Sequence, residues 1–481
     1  MLGTSTGSVT ALLLLLLNRN SQHSQSKSKL CLCIRLAQTF TDSSIIHRLT
    51  KSPHHRITNT MYALADCNNF FVSCERVFRP DLNDRPVIVL SNNDGCAIAR
   101  SNEAKALGIK MGDPLFKIRH LVQQHHVAVF SGNMALYGDF SQRVRWTLQE
   151  FSPLIEVYSI DEAFLDLRGL LIDDYHAYAK TISQRCYRYT SIPVSVGVAP
   201  TKTLAKIASK LCKQYPKLQG GCFLHRSQDV DKVLKRIPLA DVWGIGRQSV
   251  KRWQQVGIAT AYDFAQLSQE RVNQMMGING VRTWKELKGI PCIEFEHTPQ
   301  IRQSICVSRS FASELKDMQL LAEQVANFAM SGAEKLRKQG EICAEMTVFI
   351  TTNRFREDEP QTMNSNLVCF ITPTNDQRTI VSAAVKAVKE LFSPRYGYKR
   401  AGVVFNKLQR ASHTMYSLFE DVQHREKEQK LSQVMDRIRG AYGKNALTLA
   451  SQGGAQVYVS SNHKSPAYTT QWSDLPEVTV R

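Results

Sequence analysis

Acidic side chains are scarce in this sequence: 42 Asp and Glu stand against 61 Lys and Arg, a formal surplus of +19. A deficit of that size argues for a polyanionic partner, either nucleic acid or an anionic membrane surface, with a generally basic protein as the plain alternative. Long apolar runs are also missing. The longest, Ala11 to Leu17 with six consecutive leucines, falls far short of the roughly 20 residues that span a bilayer. No Lys or Arg precedes it and no clear small-residue cleavage site follows, which weakens a signal-peptide reading. The twelve cysteines include no Cys-x-x-Cys pair and no His/Cys cluster at zinc spacing. That excludes a structural zinc site, and Cys31 with Cys33, the one close pair, is too few for one. Scattered thiols suit a reducing cytoplasm. Internal repeats are absent, which removes the solenoid class.

A chain of 481 residues exceeds what one hydrophobic core supports, so several domains are expected. Residues 1–60 differ from the rest, with one acidic residue (Asp42), seven Lys/Arg, the leucine run and a polar stretch from Ser21 to Lys29. They lack sustained periodicity. Three readings stand: a start assigned too far upstream, a disordered basic leader, or a targeting peptide. The first makes Met61 the beginning of the working protein. Without this segment 54 basic residues still face 41 acidic ones.

From Met61 the patterning is clear. Tyr62 to Cys67 reads as a strand ending at Asp66, and Asn69 to Val77 as a helix. Pro86 to Leu90 is a buried-strand candidate before the turn cluster SNNDG, and Ser101 to Leu107 is helical up to Gly108. Ile155 to Leu167 (IEVYSIDEAFLDL) has two β-rich arms around an acidic pair. Helices are expected over Tyr175–Tyr189 and Thr201–Lys213, with a strand at Val194–Val198 between them. A helical stretch begins near Val230. From Ile301 a β-rich pattern returns, with strands at Cys343–Asn353 and Ala401–Leu408 around a helix at Thr379–Phe392. After Ala411 the pattern fades into a polar tail.

Phosphoryl transfer needs carboxylates that hold two divalent ions about 3.5–4 Å apart. Asp66 ends an apolar strand, and Asp161 with Glu162 interrupts two apolar arms, where an acidic pair is costly unless a cation neutralises it. Neighbours in a regular strand face opposite ways, so both members of the pair reach one site only if the turn relaxes that alternation. Asp166 is a weaker candidate. An exposed hairpin tip is the plain alternative.

Four ordered segments make the pattern specific: ALADCNNFFVSCERVFRPDL, VIVLSNNDGCAIARSNEAKALGIKMGDP, EVYSIDEAFLDL and SVGVAPTKTLAKIASK. Together they resemble the catalytic core of the Y-family DNA polymerases, and within them the bacterial UmuC branch, from Met61 to about Leu408. The resemblance implies a multi-domain α+β right-hand polymerase. Its palm would comprise residues 61–70 and 134–229, its fingers 71–133, a helix-hairpin-helix thumb 230–295, a β-rich little finger 301–410 and a tail 411–481. It implies error-prone translesion synthesis in the SOS response, by two-metal-ion nucleotidyl transfer. Asp66, Asp161 and Glu162 match the carboxylates that bind two Mg2+ ions, with the carbonyl of Cys67 as a further ligand. Phe71 matches the steric gate that excludes a 2′-hydroxyl, where the nearest branch carries tyrosine, and its neighbour Phe70 is implied as a nucleotide-binding residue, with a core aromatic as the plain alternative. Asn102, Lys105 and Lys213 fall where the family contacts the incoming triphosphate, although Lys206, Lys210 and Lys217 leave a solvated basic face as an alternative for Lys213. Gly95, Cys96, Ala97 and Ile98 fit a roomy pocket over the templating base.

Gly244, Ile245 and Gly246, followed by Arg247, Lys251 and Arg252, form a hairpin that opens a basic helix and presents N–H groups to a DNA phosphate. Arg302, Arg309, Arg354, Arg356, Lys399 and Arg400 are either phosphate contacts or solvated charge. MYSLF, Met415 to Phe419, sits where relatives carry a sliding-clamp peptide, with Leu418 and Phe419 as the anchors and Met415 in place of glutamine. A bland apolar segment is an equal alternative. Implied partners are primer-template DNA, deoxynucleoside triphosphates, a processed UmuD-like dimer, the RecA filament and the clamp, in the cytoplasm and away from membranes. A catalytically silent DNA-binding subunit or a nucleotidyl cyclase with a palm-like fold are the competing classes. The first does not need three costly carboxylates, and the second does not explain the Gly-x-Gly hairpin.

Overall fold

The computed structural model describes residues 60–296, 302–413, 422–443, 445–454 and 460–477. The leader, with Cys31 and Cys33, and the Met415–Phe419 peptide lie outside them.

In chain order, β1 (Tyr62–Cys67) is followed by α1 (Phe70–Phe78). A small layer comes next: β2 (Val87–Leu90), β3 (Ala97–Arg100), α2 (Asn102–Ala106), α3 (Leu115–Gln124) and β4 (Ala128–Ser131). Its three-stranded sheet runs β3-β2-β4. The chain returns through α4 (Met134–Gln149) to β5 (Ile155–Val157), β6 (Glu162–Asp166), α5 (Tyr175–Thr190), β7 (Val194–Ala199), α6 (Lys202–Gln214) and β8 (Gly221–Phe223). With β1 these strands make a five-stranded sheet ordered β5-β6-β1-β7-β8.

The continuous apolar run in β1 is explained by helices on both faces. Ala63, Ala65 and Cys67 pack into a core shared with α1, α4 and α5, whereas Tyr62 and Leu64 pack with Phe164 and α6 on the other side. Gly197 in β7 is what lets α6 come so close. A Cβ there would run into the backbone of Ser209 and Ala205. The Thr201 hydroxyl caps α6 by accepting from the N–H of Leu204.

The helical stretch contains α7 (Ser227–Leu234), α8 (Arg247–Gln255), α9 (Ala261–Ala265) and α10 (Gln269–Leu287). It closes over the α6 side of the sheet around the fully buried Trp253. Next come β9 (Ser304–Leu315), α11 (Met318–Lys338), β10 (Glu341–Thr351), β11 (Met363–Thr374), α12 (Gln377–Leu391) and β12 (Tyr398–Arg410). They build a four-stranded antiparallel sheet, β11-β10-β12-β9, with α11 and α12 packed against it in one core.

Residues after Ala411 are more organised than their polarity suggests. α13 (Val422–Tyr442) buries Met435 in the core of the last sheet. Arg337 of α11 pairs with Asp436 at 2.6 Å. Three buried side chains, Ser432, Met435 and Arg439, and a part-buried ion pair anchor this helix, on which Leu431, Val434, Met435 and Ile438 recur at the spacing of one helix face. Beyond it, residues 460–477 cross back to α1, β4 and the N-terminus of α4. Among the described residues no helix is long and apolar enough to cross a membrane.

Candidate active site

Antiparallel pairing of β1 with β6 sets Asp66 directly opposite Glu162. Alternation puts Tyr62, Leu64 and Asp66 on one face and Phe164 and Glu162 on the same face, toward α6. Asp161 precedes the strand and lies in the β5–β6 turn, where its carbonyl accepts from the Cys67 N–H at 2.9 Å. The Ser159 hydroxyl donates to the Asp161 carboxylate and accepts from the N–H groups of Asp161 and Glu162 at 3.2 and 3.1 Å. Asp161 therefore lies outside the regular strand, in a turn held by Ser159. Asp166 belongs elsewhere: it sits opposite Tyr62 at the far end of the pairing, buried against Arg168.

One face of α6 supplies the counter-charge. Lys213 Nζ lies 2.6 Å from Asp66 Oδ1 and Lys206 Nζ 2.7 Å from Glu162 Oε2. Lys210 pairs with Asp241 at 2.7 Å and the buried Lys202 with Glu156 at 2.5 Å. Intervals of four, four and three residues align these lysines on a single side of a helix. Lys206, which the sequence left among solvated neighbours, is a member of the site, and the interval was the signal that could have found it.

Burial pushes Asp66 up to about 6, the negative charges of Glu162 and Asp161 push the same way, and Lys213 opposes them. Lys105 is shifted down by its burial and by the positive charges of Arg100 and Lys213, while Asp66 opposes the shift. Lys105, Lys213 and Asp66 therefore share one electrostatic environment.

At the start of α1, Asn69 adopts a left-handed conformation with φ 46°. Its side chain bridges two predicted nucleotide contacts: Asn69 Nδ2 donates to Asn102 Oδ1 at 3.1 Å. Lys105 Nζ donates to Asn69 Oδ1 at 2.6 Å. Asn69 itself was not singled out in the sequence. Phe70 is buried in the core, whereas Phe71 is half-buried and stacks on Tyr137 with ring centroids 4.4 Å apart.

The carboxylates of Asp66, Asp161 and Glu162 with the Cys67 carbonyl would offer oxygen donors of the kind hard divalent ions take. Burial, with like charges beside it, raises Asp66, and a cation there would offset that. In their present rotamers Asp66 and Glu162 hold lysines and Asp161 holds Ser159. Among the described residues no three His, Cys, Asp or Glu side chains converge on one point.

The Gly-x-Gly hairpin precedes α8 and directly follows Trp243, whose ring lies against Lys206. Gly244 has φ 87°, and its missing Cβ leaves room for the Thr283 side chain. Ile245 is buried, Gly246 is the N-cap residue of α8, and Arg247 and Lys251 are exposed on it.

The fold is similar to that of a solved Y-family DNA polymerase, a chimera of Dbh and Dpo4. The likeness has a TM-score of 0.59 at 22% identity, covering 72% of this chain and 98% of that one. The class is thus a right-hand polymerase fold of the Y type. The impB/mucB/samB family model matches residues 65–210, and the C-terminal domain of that family matches 302–418. A further model, described as a domain of unknown function, matches 429–478. Protein UmuC of Salmonella typhimurium is 40% identical over 421 residues, which is 87% of this chain and all of that protein. Protein ImpB of Salmonella typhimurium is 38% identical over 423 residues, or 86% of this chain and 99% of its own length. The chain belongs to the impB/mucB/samB family, the UmuC-like Y-family DNA polymerases. It is a DNA-directed DNA polymerase of the translesion type, and its substrates are template DNA and nucleotides.

Proposed function

We propose that this chain adds deoxynucleotides opposite damaged template bases by two-metal-ion nucleotidyl transfer, in SOS repair and mutagenesis. The observation that carries the reading is the cross-strand pair Asp66–Glu162 with Asp161 beside it, faced by lysines of α6. Asp66, Asp161, Glu162 and the carbonyl of Cys67 would hold two Mg2+ ions. When bound, such ions activate the primer hydroxyl and neutralise the leaving pyrophosphate.

The remaining roles fall to the chain's own groups. Lys105 and Lys213 hold the triphosphate oxygens, and Asn102 with Asn69 orients Lys105. Phe71 excludes a 2′-hydroxyl. The five-stranded sheet is the palm, the three-stranded layer the fingers, the helical stretch the thumb and the four-stranded sheet the little finger. Gly244, Gly246, Arg247 and Lys251 grip a phosphate of the duplex without reading its sequence. A processed UmuD-like dimer, the RecA filament and a sliding clamp engaged by Leu418 and Phe419 complete the assembly in the cytoplasm.

Primer extension across an abasic template tests the reading. It should require Mg2+ and should be lost in Asp161→Ala with DNA binding retained. Full extension by that variant would sink the metal assignment.

A further inference from the structure

Residues 460–477 form a strap that touches α1, which carries Phe71, and also β4, the Asp94 loop and the start of α4. At one end its backbone bridges to β4: Ser131 N–H donates to the His463 carbonyl at 2.9 Å, and His463 N–H donates to Ser131 Oγ at 3.0 Å. Ser131 Oγ in turn donates to Asp94 Oδ1 at 2.6 Å, and the other carboxylate oxygen accepts from the Asn462 N–H at 2.8 Å. Asp94 belongs to the loop leading into Gly95 and Cys96, where φ is 61° at Asn93 and 50° at Asp94. The strap thereby pins a strained loop in place.

In the middle of the strap, Ser465 is buried. Its hydroxyl donates to Glu75 Oε1 at 3.1 Å and accepts from Asn133 Nδ2 at 3.0 Å. The same Glu75 oxygen accepts from the Tyr137 hydroxyl at 2.7 Å. Tyr137 and Glu75 are both fully buried, and Glu75 Oε2 has no hydrogen-bond partner. Tyr137 carries the Phe71 ring on its face, with centroids 4.4 Å apart and planes 13° from parallel. Two turns further along α1, Tyr468 stacks on Phe78 at 4.3 Å and 11°. A buried carboxylate is expensive unless something specific requires it. Here Glu75 is the joint through which Ser465 and Tyr137 meet.

We propose that the strap is a cis-acting part of the sugar-selection pocket, in which Ser465 and Glu75 act as positioning residues that fix Tyr137 and, through it, the Phe71 ring. This gives residues 460–477, within the segment matched by a domain of unknown function, a role in choosing the nucleotide. It rests on the reading of Phe71 as the steric gate. A ring that is free to tilt admits a 2′-hydroxyl, so loosening its support costs discrimination before it costs turnover.

Single-nucleotide insertion by the full chain on primer-template DNA, with a deoxynucleotide and its ribonucleotide counterpart, tests this. Phe71→Ala is the control for the gate and should abolish discrimination. Ser465→Ala and Tyr137→Phe should each lower the deoxy-over-ribo ratio of kcat/KM about fivefold, as loss of one hydrogen bond predicts. The change should appear as a lower ribonucleotide KM with deoxynucleotide kcat unchanged. Ser465→Thr keeps the hydroxyl and should restore the ratio. If Phe71→Ala loses discrimination while the Ser465 and Tyr137 variants keep it, the strap proposal fails and the gate stands. A lower melting temperature with both sugars affected equally means a structural role alone and likewise overturns it. Intact discrimination in Phe71→Ala removes the gate itself, and this proposal with it.

Discussion

Asp66 and Glu162 are cross-strand partners, and each is bonded to a lysine seven residues apart on one helix, Lys213 and Lys206. The four charges form two ion pairs side by side at one end of the five-stranded sheet. Any divalent ion that enters must compete with ammonium groups already in place, and any triphosphate that enters offers those ammonium groups new oxygens. The pairings suggest an exchange in which the nucleotide draws off the lysines as the carboxylates take the metal.

That exchange predicts a coupled dependence on pH and magnesium. Burial and its acidic neighbours raise Asp66 from the ordinary 3.8 to about 6. At limiting Mg2+, kcat/KM should rise with pH through an apparent pKa near 6, and the limb should move to lower pH as Mg2+ is increased. A limb that ignores magnesium would mean that Asp66 is no ligand.

The same shift has a consequence for stability. A carboxyl raised in the folded state favours folding while protonated, so its contribution is full below about 4 and is lost as the pH rises through about 6. Without added metal, Asp66→Asn should therefore gain thermal stability relative to the parent at pH 7 and show little difference at pH 4. Melting curves at the two pH values check this.

Lys213→Ala should raise the KM for the incoming nucleotide by roughly tenfold or more, as expected for a charge-assisted contact. Binding of primer-template alone should change little. Steady-state kinetics beside a DNA-binding titration separate the two effects. Equal losses in both would return Lys213 to a general basic face.

Arg247→Ala and Lys251→Ala should weaken DNA binding uniformly across sequences. Each should reduce the slope of log affinity against log salt by about 1 for a lost phosphate contact. An unchanged slope would place the hairpin off the duplex.

Gly197→Ala tests the seat of α6. Its added methyl meets the backbone of Ser209 and Ala205, so the helix must move or the fold must lose roughly 1–3 kcal/mol. Thermal melting and nucleotide KM should both worsen, because the lysines move with the helix.

Much of this was legible in the residues. β1, β6 and α6 carry strong periodicity, and Asp66 and Glu162 stand out because acids in apolar strands need a reason. Lys213 was visible as a charge but not as a partner, since pairing depends on how closely α6 approaches at Gly197. Asn69 was hidden because its work depends on a left-handed backbone, which asparagine tolerates but does not announce. Asp166, the weaker candidate in the sequence, is held by Arg168 at the far end of the strand pairing. The strap was illegible for a different reason. Tyr468 and Ser465 lie in a polar stretch without period, and their partners Phe78 and Glu75 are hundreds of residues away.

That separation has a consequence of its own. Glu75 and Ser465 are 390 residues apart, so translation delivers every carboxylate and lysine of the palm long before it delivers the strap. A nascent chain passes through a stage in which the chemistry is assembled but the pocket is not yet braced. Clipping by a protease before residue 460 would return a mature molecule to that stage, competent to join nucleotides and less particular about which sugar it joins.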